Sequence, residues 1–572
     1  MNQAIDAVDV LVWGGGTGGV AAAIQAARGG ASTLLLTPGS WLGGMVSAAG
    51  VCCPDGNELS PWQTGLWGAF LRELERREPE GLDHNWVSCF GYRPTTAEQI
   101  LQDWVRAEPK LLWWPRCRLL EVEREGSLIA SVQVDVGGEH RRVRCKVAID
   151  GSDRGDLLPM AEVPFRLGWE PQEQWGEPSA PTSERIRSEA FFQDHPVQSP
   201  TWVVMGQLRS DRLQGDPALC LQPDSKPSLP APFEQACAAF GLERTITYGR
   251  LPGGLVMLNW PLHGNDWHWG LDRAFSNDST QEEELFQQMQ SHSLRFAKAL
   301  EDVSGGWLKL GNAFPSESGS PAPWLAAMPY WREGRRMIGK RTLIEQDLLP
   351  VTEGVSSAPL PVNEAGQLQS IAFGNYANDH HYPGPDWPLA PKSCRWGGRW
   401  TGTPFCVPFG CLVSESVNNL LAADKAFSTS HMANGATRLQ PLILNVGQAA
   451  GAAAALAVRL EQQPGDLEPG LIQDVLAGDL RAPASVSPDW NQTNRHDGPS
   501  REHLFEGVVV PDGTGCYSLL CGKDERWPLI TLEPCVQDWL SRVTRPATAR
   551  LTAFTNPWGP WLRVTAVLQE IN

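Results

Sequence analysis

Three glycines near the start of the chain have the spacing of a turn that can hold a diphosphate. Gly14, Gly16 and Gly19 form a G-x-G-x-x-G pattern directly after the apolar run 10–13. In this pattern the first glycine permits a tight turn, the second lets backbone approach a pyrophosphate, and the third lets a helix pack closely on a strand. The free N–H groups and positive dipole of the helix N-terminus would bind the diphosphate. The spacing therefore predicts a dinucleotide site, with a purely structural turn as the alternative.

The elements that must position these glycines are also present in the sequence. Residues 10–13 and 33–36 predict strands, and the alanine-rich segment 19–28 predicts a helix between them. A βαβ unit of this kind is the context that the glycine pattern requires. An acid at the end of the second strand usually binds a ribose hydroxyl, but this position is Thr37. Because threonine hydrogen-bonds without charge, the ribose contact is predicted to be weaker or to come from elsewhere.

Length, charge and cysteine usage restrict the class of protein. The 572 residues indicate several domains on a prior of ~150 residues each. The formal net charge of -18 argues against non-specific binding to nucleic acid or to an anionic membrane. No apolar run reaches the ~18 residues of a membrane span, and the first strand begins too early for a signal peptide. The 13 cysteines include no C-x-x-C pair, so reduced thiols and a cytoplasmic location are expected.

A predicted meander and two short motifs complete a family pattern. Residues 118–147 predict three strands with glycine turns, and residues 149–157 read Ile-Asp-Gly-Ser-Asp-Arg-Gly-Asp-Leu. The loop 42–45, Leu-Gly-Gly-Met, follows the βαβ unit. Together these segments resemble FAD-dependent oxidoreductases of the glutathione-reductase-like superfamily, and more narrowly a large bacterial family known only as FAD-dependent oxidoreductases. That family has Ile-Asp-Ala-Thr where this chain has Gly151 and Ser152, which is a mild departure.

A second region, residues 373–460, extends the resemblance. Residues 374–381, Gly-Asn-Tyr-Ala-Asn-Asp-His-His, match the family's Asp-x-His or Asp-His stretch. Asp424 ends a predicted buried strand, and an acid at this point of the superfamily accepts hydrogen bonds from the ribityl chain. Pro441 suits the first turn of a helix. The N-terminus of that helix would face the flavin N1–C2=O edge and stabilise its anionic reduced form.

The resemblance implies non-covalent FAD held by residues from both regions. Most of them are glycines of the first turn, residues at strand ends and the first residues of the late helix. The predicted cofactor-binding residues are Gly14, Gly16, Thr17, Gly18, Gly19, Thr37, Gly43, Gly44, Met45, Leu119, Asp150, Gly151, Asp424, Gln440 and Pro441. No spacing typical of a metal site accompanies them.

Proton transfer in such a protein would depend on histidine. A flavin carries the redox chemistry, and taking a hydride from a C–H bond needs a base for the neighbouring O–H or N–H proton. Histidine is the side chain that titrates unaided near neutral pH, and His380, His381 and His431 lie in the family-like segments. We predict that the adjacent pair supplies the base or acid, with His431 as an alternate. Arg438 would bind a substrate carboxylate or polarise the flavin C2=O.

The predicted architecture is α/β. Residues 1–160 and 346–465 form a Rossmann-like FAD-binding domain, residues 161–345 form a mixed α+β substrate domain, and residues 466–572 form a linker and a small C-terminal β module. A small-molecule substrate is the expected partner, nucleic acid and membranes are not, and homo-oligomerisation is left open.

Three functions compete at this point. The first is an oxidase or dehydrogenase that acts on CH–OH or CH–NH bonds. The second is a reductase of an activated C=C bond, which would use an arginine such as Arg335 or Arg438 as its proton donor. The third is a non-catalytic FAD-binding protein in which the β module is the working part.

Overall fold

The structure is a computed structural model that describes residues 6–571 with interruptions. These fall at residues 59, 84, 86–87, 210–224, 277, 350–357, 384–393, 397–398, 489–501, 512–516, 523–524, 532 and 556–561. Between them the chain forms one large sheet, three smaller sheets and a closed barrel.

The predicted βαβ unit is present at the N-terminus. Strands β1 (Ala7–Trp13) and β2 (Thr33–Leu36) pair in parallel, and helix α1 (Thr17–Arg28) connects them. Every residue of β2 is buried, as is most of β1. Near-continuous apolar strands of this kind are typical of parallel sheets that are covered on both faces.

The first part of the chain continues with two helices and four strands. They are α2 (Gly65–Arg77), α3 (Pro94–Arg106), β3 (Leu111–Trp114), β4 (Cys117–Glu125), β5 (Leu128–Val136) and β6 (Glu139–Asp150). Strands β4, β5 and β6 form the predicted antiparallel meander. The second half of β6 leaves the meander and pairs in parallel with β1 as far as Asp150.

The middle of the chain has short elements around one long helix. They are α4 (Leu157–Met160), β7 (Phe165–Arg166), α5 (Gln172–Trp175), α6 (Ser183–Ser188), α7 (Ala190–Asp194), β8 (Val204–Leu208), α8 (Gly241–Thr247), β9 (Leu255–Leu258), α9 (Ser279–Val303), β10 (Leu308–Leu310) and β11 (Arg336–Met337). Strand β8 is central to an antiparallel sheet with β9 and β10. Strand β7 pairs with β11, which connects the two ends of this region.

The next region returns to the large sheet. Its elements are β12 (Ser370–Tyr376), β13 (Cys394–Trp396), β14 (Arg399–Pro408), β15 (Leu420–Ala422), α10 (His431–Thr437), α11 (Gln440–Leu460) and α12 (Pro469–Ala477). Strand β15 pairs in parallel with the end of β6, so the large sheet combines strands from both regions that resemble the FAD family.

Helix α11 lies against α1 at the centre of the core. A Cβ atom placed on Gly447 would lie 2.3 Å from the carbonyl oxygen of Gly18, and one on Gly451 would lie 2.2 Å from that of Ala22. These paired contacts show that the two helices run in the same direction. Among the described helices α11 is the one long and apolar enough to span a membrane, but 94% of its apolar window is buried inside the protein.

The C-terminal module is a closed barrel. Its elements are β16 (His503–Pro511), β17 (Tyr517–Cys521), β18 (Glu525–Thr531), α13 (Pro534–Arg542), β19 (Ala547–Thr555) and β20 (Leu562–Ile571). The barrel order is β16-β17-β18-β20-β19. Leu519, Leu551 and Val564 belong to a core of its own, separate from the main core.

Candidate functional site

Three parallel strands end side by side at one edge of the large sheet. Trp13 of β1 and Ala422 of β15 both pair with Asp150 at the end of β6. The Gly151 N–H donates to the Trp13 carbonyl over 2.7 Å, and the Ala423 N–H donates to the Asp150 carbonyl over 2.8 Å. The carboxyl ends of parallel strands are where α/β proteins bind ligands. The predicted glycine turn, which follows β1, lies at this edge.

The glycines of this turn are required by close backbone contacts. A Cβ on Gly16 would lie 2.6 Å from the Gly151 carbonyl oxygen, and one on Gly18 would lie 1.6 Å from the Ala423 carbonyl oxygen. Gly14 has a φ of +104°, a region that side chains disfavour. The turn therefore brings the N-terminus of α1 directly against the ends of β6 and β15.

Asp424 lies at the N-terminus of α1. The Gly18 N–H donates to Asp424 Oδ2 over 2.7 Å. The Lys425 ammonium, itself fully buried, donates to Asp424 Oδ1 over 3.1 Å and to Asp153. Burial raises the pKa of Asp424, while Lys425 acts in the opposite direction. Sequence reasoning found Asp424 but missed Lys425 and Asp153, although the three are close to family-like motifs in the sequence.

Two predicted cofactor residues use their side chains within the protein. Both Asp150 oxygens accept bonds inside their own loop, from the Ser152 N–H at 3.0 Å and the Leu157 N–H at 2.9 Å. The Thr37 hydroxyl donates to the Gly39 carbonyl over 2.8 Å and accepts from Trp113 Nε1 over 3.0 Å. Thr37 is fully buried, so its predicted contact with a ribose stays a prediction.

The predicted Gly43–Gly44 loop packs on the glycine turn. The Thr17 hydroxyl donates to the Gly43 carbonyl over 2.7 Å. A Cβ on Gly44, whose φ is +53°, would lie 2.9 Å from the Cα of Gly16. Met45 is buried beside this loop, whereas Leu119 lies on β4 opposite Val134 and is partly exposed.

The N-terminus of α11 offers two polar atoms that the described part of the protein leaves unpaired. Gln440 Nε2 donates to the Val51 carbonyl over 3.0 Å, but Gln440 Oε1 is buried without a partner there. Arg438, two residues before Gln440, has a buried Nε that also lacks a partner within the described residues. Pro441 occupies the first turn of the helix, as predicted. Gln440 precedes Gly447 by seven residues, so at 1.5 Å per residue this end of α11 extends ~10 Å past the contact with Gly18.

These residues fit FAD. Apart from the Gly18 N–H, which donates to Asp424, the first N–H groups of α1 lie among glycines that leave no room for side chains, and such groups suit a diphosphate. Asp424 supplies an acceptor at the same edge, where a ribityl hydroxyl would donate. The unpaired donor of Arg438 and acceptor of Gln440 complement a pyrimidine ring edge, in which an N–H stands between two carbonyls. The N-terminus of α11 adds a positive dipole on that side.

The two adjacent histidines have different surroundings. His380 Nε2 lies 3.0 Å from the Met432 carbonyl, so Nε2 carries the hydrogen, and Nδ1 has no partner within the described residues. Burial lowers the pKa of His380 to about 3, which keeps the ring neutral. His381 Nδ1 lies 2.8 Å from Asp266 Oδ2, and its Nε2 lies 3.0 Å from Asp379 Oδ2. His381 is therefore the member of the pair that contacts Asp379.

Asp379 brings His381 and Arg438 together. Its Oδ2 accepts from Tyr376 Oη at 3.0 Å, from His381 Nε2 at 3.0 Å and from Arg438 Nη2 at 3.1 Å. Arg438 Nη1 also donates to Tyr330 Oη over 2.8 Å. Burial acts to lower the pKa of Arg438, but Tyr330 and Asp379 outweigh it and raise the pKa above its usual value.

His431 is part of a buried chain of polar groups. Its Nδ1 lies 2.8 Å from Glu333 Oε1, and its Nε2 contacts the Tyr382 hydroxyl. Arg336 Nε lies 3.1 Å from the same Glu333 oxygen. Burial alone would raise the pKa of Glu333, but His431 and Arg336 hold it below the usual value. Tyr382 was missed in the sequence, where its place directly after the histidine pair was the available signal.

The predicted catalytic residues therefore meet around α10. The His380 and His431 rings are 5.4 Å apart, and the His380 ring stacks on Tyr382 at 6.1 Å. Arg335, the other arginine considered as a proton donor, instead hydrogen-bonds the carbonyls of Arg154 and Phe275.

A match to a protein family agrees with these observations. The family model described as FAD dependent oxidoreductase matches residues 9–476. No curated protein matches the chain.

Solved structures give only partial matches. One is p-nitrophenol 4-monooxygenase PnpA from Pseudomonas putida DLL-E4, with 10% identity over 37% of this chain and 50% of that chain and a TM-score of 0.23. OxyS anhydrotetracycline hydroxylase from Streptomyces rimosus has 14% identity over 36% of this chain and 38% of that chain, with a TM-score of 0.23. L-proline dehydrogenase from P. horikoshii has 16% identity over 26% of this chain and 23% of that chain, with a TM-score of 0.16. The chain thus spans half or less of the length of each.

The family match covers most of the chain, including both halves of the large sheet and every predicted site residue. The chain belongs to the family of FAD dependent oxidoreductases, and FAD is its cofactor.

Proposed function

We propose that the protein takes a hydride from a CH–OH or CH–NH group of a small organic substrate to N5 of FAD. FAD, when bound, supplies the two-electron acceptor. Loss of a hydride from such a carbon must be matched by loss of the neighbouring O–H or N–H proton, which requires a base. The observation that carries the proposal is the chain from buried Glu333 and His431 to the half-buried Tyr382.

This chain is suited to accept a proton through Tyr382. Glu333 Oε1, 2.8 Å from His431 Nδ1, fixes Nδ1 as the donor and leaves Nε2 to accept from the Tyr382 hydroxyl. A proton that reaches Nε2 makes an imidazolium next to a carboxylate. Because the new charge is paired at once, the transfer avoids the high cost of an isolated buried charge.

His431 suits this role better than the adjacent pair that the sequence favoured. His381 has a carboxylate within 3.0 Å of each ring nitrogen, so neither nitrogen is free to take a substrate proton. His380 has an unpaired Nδ1, but burial lowers its pKa to about 3, which makes it a weak base. We therefore assign proton acceptance to His431 and Tyr382, and hydrogen bonding to His380.

Arg438 orients the reacting groups. Tyr330 and Asp379 hold two of its nitrogens, and Nε has no partner within the described residues. A fixed donor of this kind suits a carbonyl oxygen of the substrate or of the flavin ring. The raised pKa of Arg438, to which Tyr330 and Asp379 contribute against burial, weighs against its acting as the proton donor of a C=C reductase.

Anaerobic titration of the FAD-loaded protein with alcohols and amines tests the proposal. We expect a CH–OH or CH–NH compound to remove the oxidised-flavin absorbance, and Tyr382→Phe to slow this by roughly 10²–10⁴-fold, the usual contribution of general acid–base catalysis. His380→Gln, which keeps a donor for the Met432 carbonyl and an acceptor in place of Nδ1, should retain most of the rate. If no such compound reduces the flavin, and reduced protein is reoxidised by an unsaturated acceptor, the reductase alternative replaces this one. A purified protein that binds no FAD would contradict both.

A further inference from the structure

We propose that the substrate is an uncharged polyhydroxy compound, such as a polyol or a cyclic sugar, bound beside α10. This inference rests on the proposed function and names its substrate class. It starts from buried polar atoms that have no partner within the described residues: both amide atoms of Asn378, Gln198 Oε1 and His380 Nδ1. Asn378 is only 9% exposed and Gln198 is fully buried. Buried polar groups in folded proteins nearly always have a partner, so this set indicates a ligand.

The unpaired atoms belong to side chains that converge on two residues of α10. A Cβ on Gly435 would lie 2.5 Å from Asn378 Oδ1 and 2.5 Å from His380 Nε2. Gln198 Nε2 donates to Asn434 Oδ1, next along the helix, over 2.7 Å. Two separate segments of the chain, at Gln198 and at residues 378–380, thus bring side chains with unpaired atoms to one turn of the helix. Gly435 makes this approach feasible because it has no side chain.

The hydrogen-bonding capacity of the set favours hydroxyl groups. His380 donates through Nε2 to the Met432 carbonyl, so its Nδ1 can only accept. Gln198 Oε1 also can only accept, whereas Asn378 offers an acceptor and a donor. A ligand that meets them must donate more hydrogen bonds than it accepts at this point, as a set of hydroxyls does. A carboxylate or a ketone would place lone pairs against acceptors.

Each carboxylate of the cluster already lies beside an arginine, which weighs against an ionic substrate. Asp379 is held by His381 and Arg438. Glu333 accepts a hydrogen bond from neutral His431 and is paired with Arg336. No carboxylate of this group is left over to pair with a substrate ammonium, and a buried unpaired charge is costly. The site therefore favours a neutral donor-rich molecule over an amine.

The reaction then balances as the oxidation of a secondary or hemiacetal alcohol. With FAD bound as the two-electron acceptor, the CH–OH carbon would lose a hydride, and the hydroxyl proton would pass through Tyr382 to His431. The substrate loses two electrons and becomes a ketone or a lactone. His380 and Asn378 hold hydroxyls that do not react, which fixes the position of the carbon that does.

Binding and reduction experiments with matched probes test the inference. The FAD-loaded protein is titrated calorimetrically with aldohexoses, inositols and alditols, and with charged analogues of the same size, such as glucosamine and glucuronate. We expect an uncharged member to bind at least tenfold more tightly than its charged analogues. Asn378→Leu and Gln198→Leu should each weaken that binding at least tenfold with FAD content unchanged. Asn418→Leu, at an exposed asparagine, should leave it unchanged.

The outcomes separate this inference from the function on which it rests. If an amine or a carboxylate reduces the flavin and no uncharged polyhydroxy compound binds, the proposed function stands and this inference fails. If a polyhydroxy compound binds in an Asn378-dependent way but no alcohol or amine reduces the flavin, the proposed function fails while the binding site stands. Binding that neither Asn378→Leu nor Gln198→Leu affects would overturn the location beside α10.

Discussion

Replacing Gly18 by alanine should separate the two halves of the FAD site. A Cβ at this position would lie 1.6 Å from the carbonyl oxygen of Ala423, 2.5 Å from its carbonyl carbon and 3.0 Å from the Cα of Asp424. All three atoms belong to backbone, which cannot rotate away as a flexible side chain could. The N-terminus of α1 must therefore move away from the end of β15. The 2.7 Å hydrogen bond from the Gly18 N–H to Asp424 would then be lost.

The free-energy change can be estimated from three contributions. Overpacking costs about 1–3 kcal/mol, and a rigid backbone contact belongs at the upper end. Loss of a hydrogen bond to a charged group costs about 1.5–3 kcal/mol. Alanine gains at most about 1 kcal/mol of helix propensity over glycine. We expect the free energy of unfolding to fall by roughly 3–5 kcal/mol. Because 1.4 kcal/mol is tenfold in affinity, FAD binding should weaken at least tenfold if about a third of this loss falls on the cofactor site.

Reconstitution of apo-protein with FAD, followed by flavin fluorescence, measures the affinity, and urea unfolding measures the stability. Gly470→Ala is a matched control, because Gly470 lies in the first turn of α12 and a Cβ there meets nothing within 4 Å. The control should be neutral or slightly more stable. If Gly18→Ala binds FAD as tightly as the wild type does, the close contact between α1 and β15 is not part of the cofactor site, and the reasoning is refuted.

Three further predictions follow from buried polar groups. Lys425→Met leaves Asp153 and Asp424 without their cation. Because breaking a buried ion pair costs about 3–5 kcal/mol, urea unfolding should show a loss of stability of this size. Lys340→Met, at an exposed lysine, is the control. Thr37→Val should lower the free energy of unfolding by about 1–3 kcal/mol, because Gly39 and Trp113 lose their hydrogen-bond partner. FAD affinity should stay within about twofold of the wild type. A large loss of affinity would instead support the predicted contact between Thr37 and the ribose. Burial, with Asp156 nearby, raises the pKa of Asp150 from 3.8 to about 7. The protonated form of Asp150 contributes stability that is fully present below pH 3.8 and is lost as the pH rises through about 7. At 1.36 kcal/mol per pKa unit, the free energy of unfolding should fall by about 4 kcal/mol over this range. Urea unfolding at several pH values should show this decline in the wild type and a flatter one in Asp150→Asn.

Much of the fold follows from local patterns in the sequence. The βαβ unit, the meander and the late helix were all predicted within a few residues, because each has strong apolar periodicity and glycine boundaries. The parallel pairing of β15 with β6 could be expected only through the family resemblance. Helix α13 and strand β3 were not predicted, because each is short and leaves a weak periodic signal.

The site shows where sequence reasoning ends. Glycine and histidine positions could be chosen by type and motif, but the partners that decide their chemistry are distant in sequence. Glu333 lies 98 residues from His431, and Asp266 lies 115 residues from His381. These separations explain why the pair His380–His381 was favoured over His431. Tertiary structure, not residue type, determines which histidine has one nitrogen next to a carboxylate and the other next to a hydroxyl.

The central claim is that the protein removes a hydride from a CH–OH or CH–NH carbon. It is tested most directly by stopped-flow absorbance of the FAD-loaded protein, mixed anaerobically with the best alcohol or amine and with its C-deuterated form. We expect loss of the oxidised-flavin bands, slower with deuterium at the reacting carbon, and much slower in Tyr382→Phe. Flavin that stays oxidised with every alcohol and amine, in a protein that retains bound FAD, would contradict it.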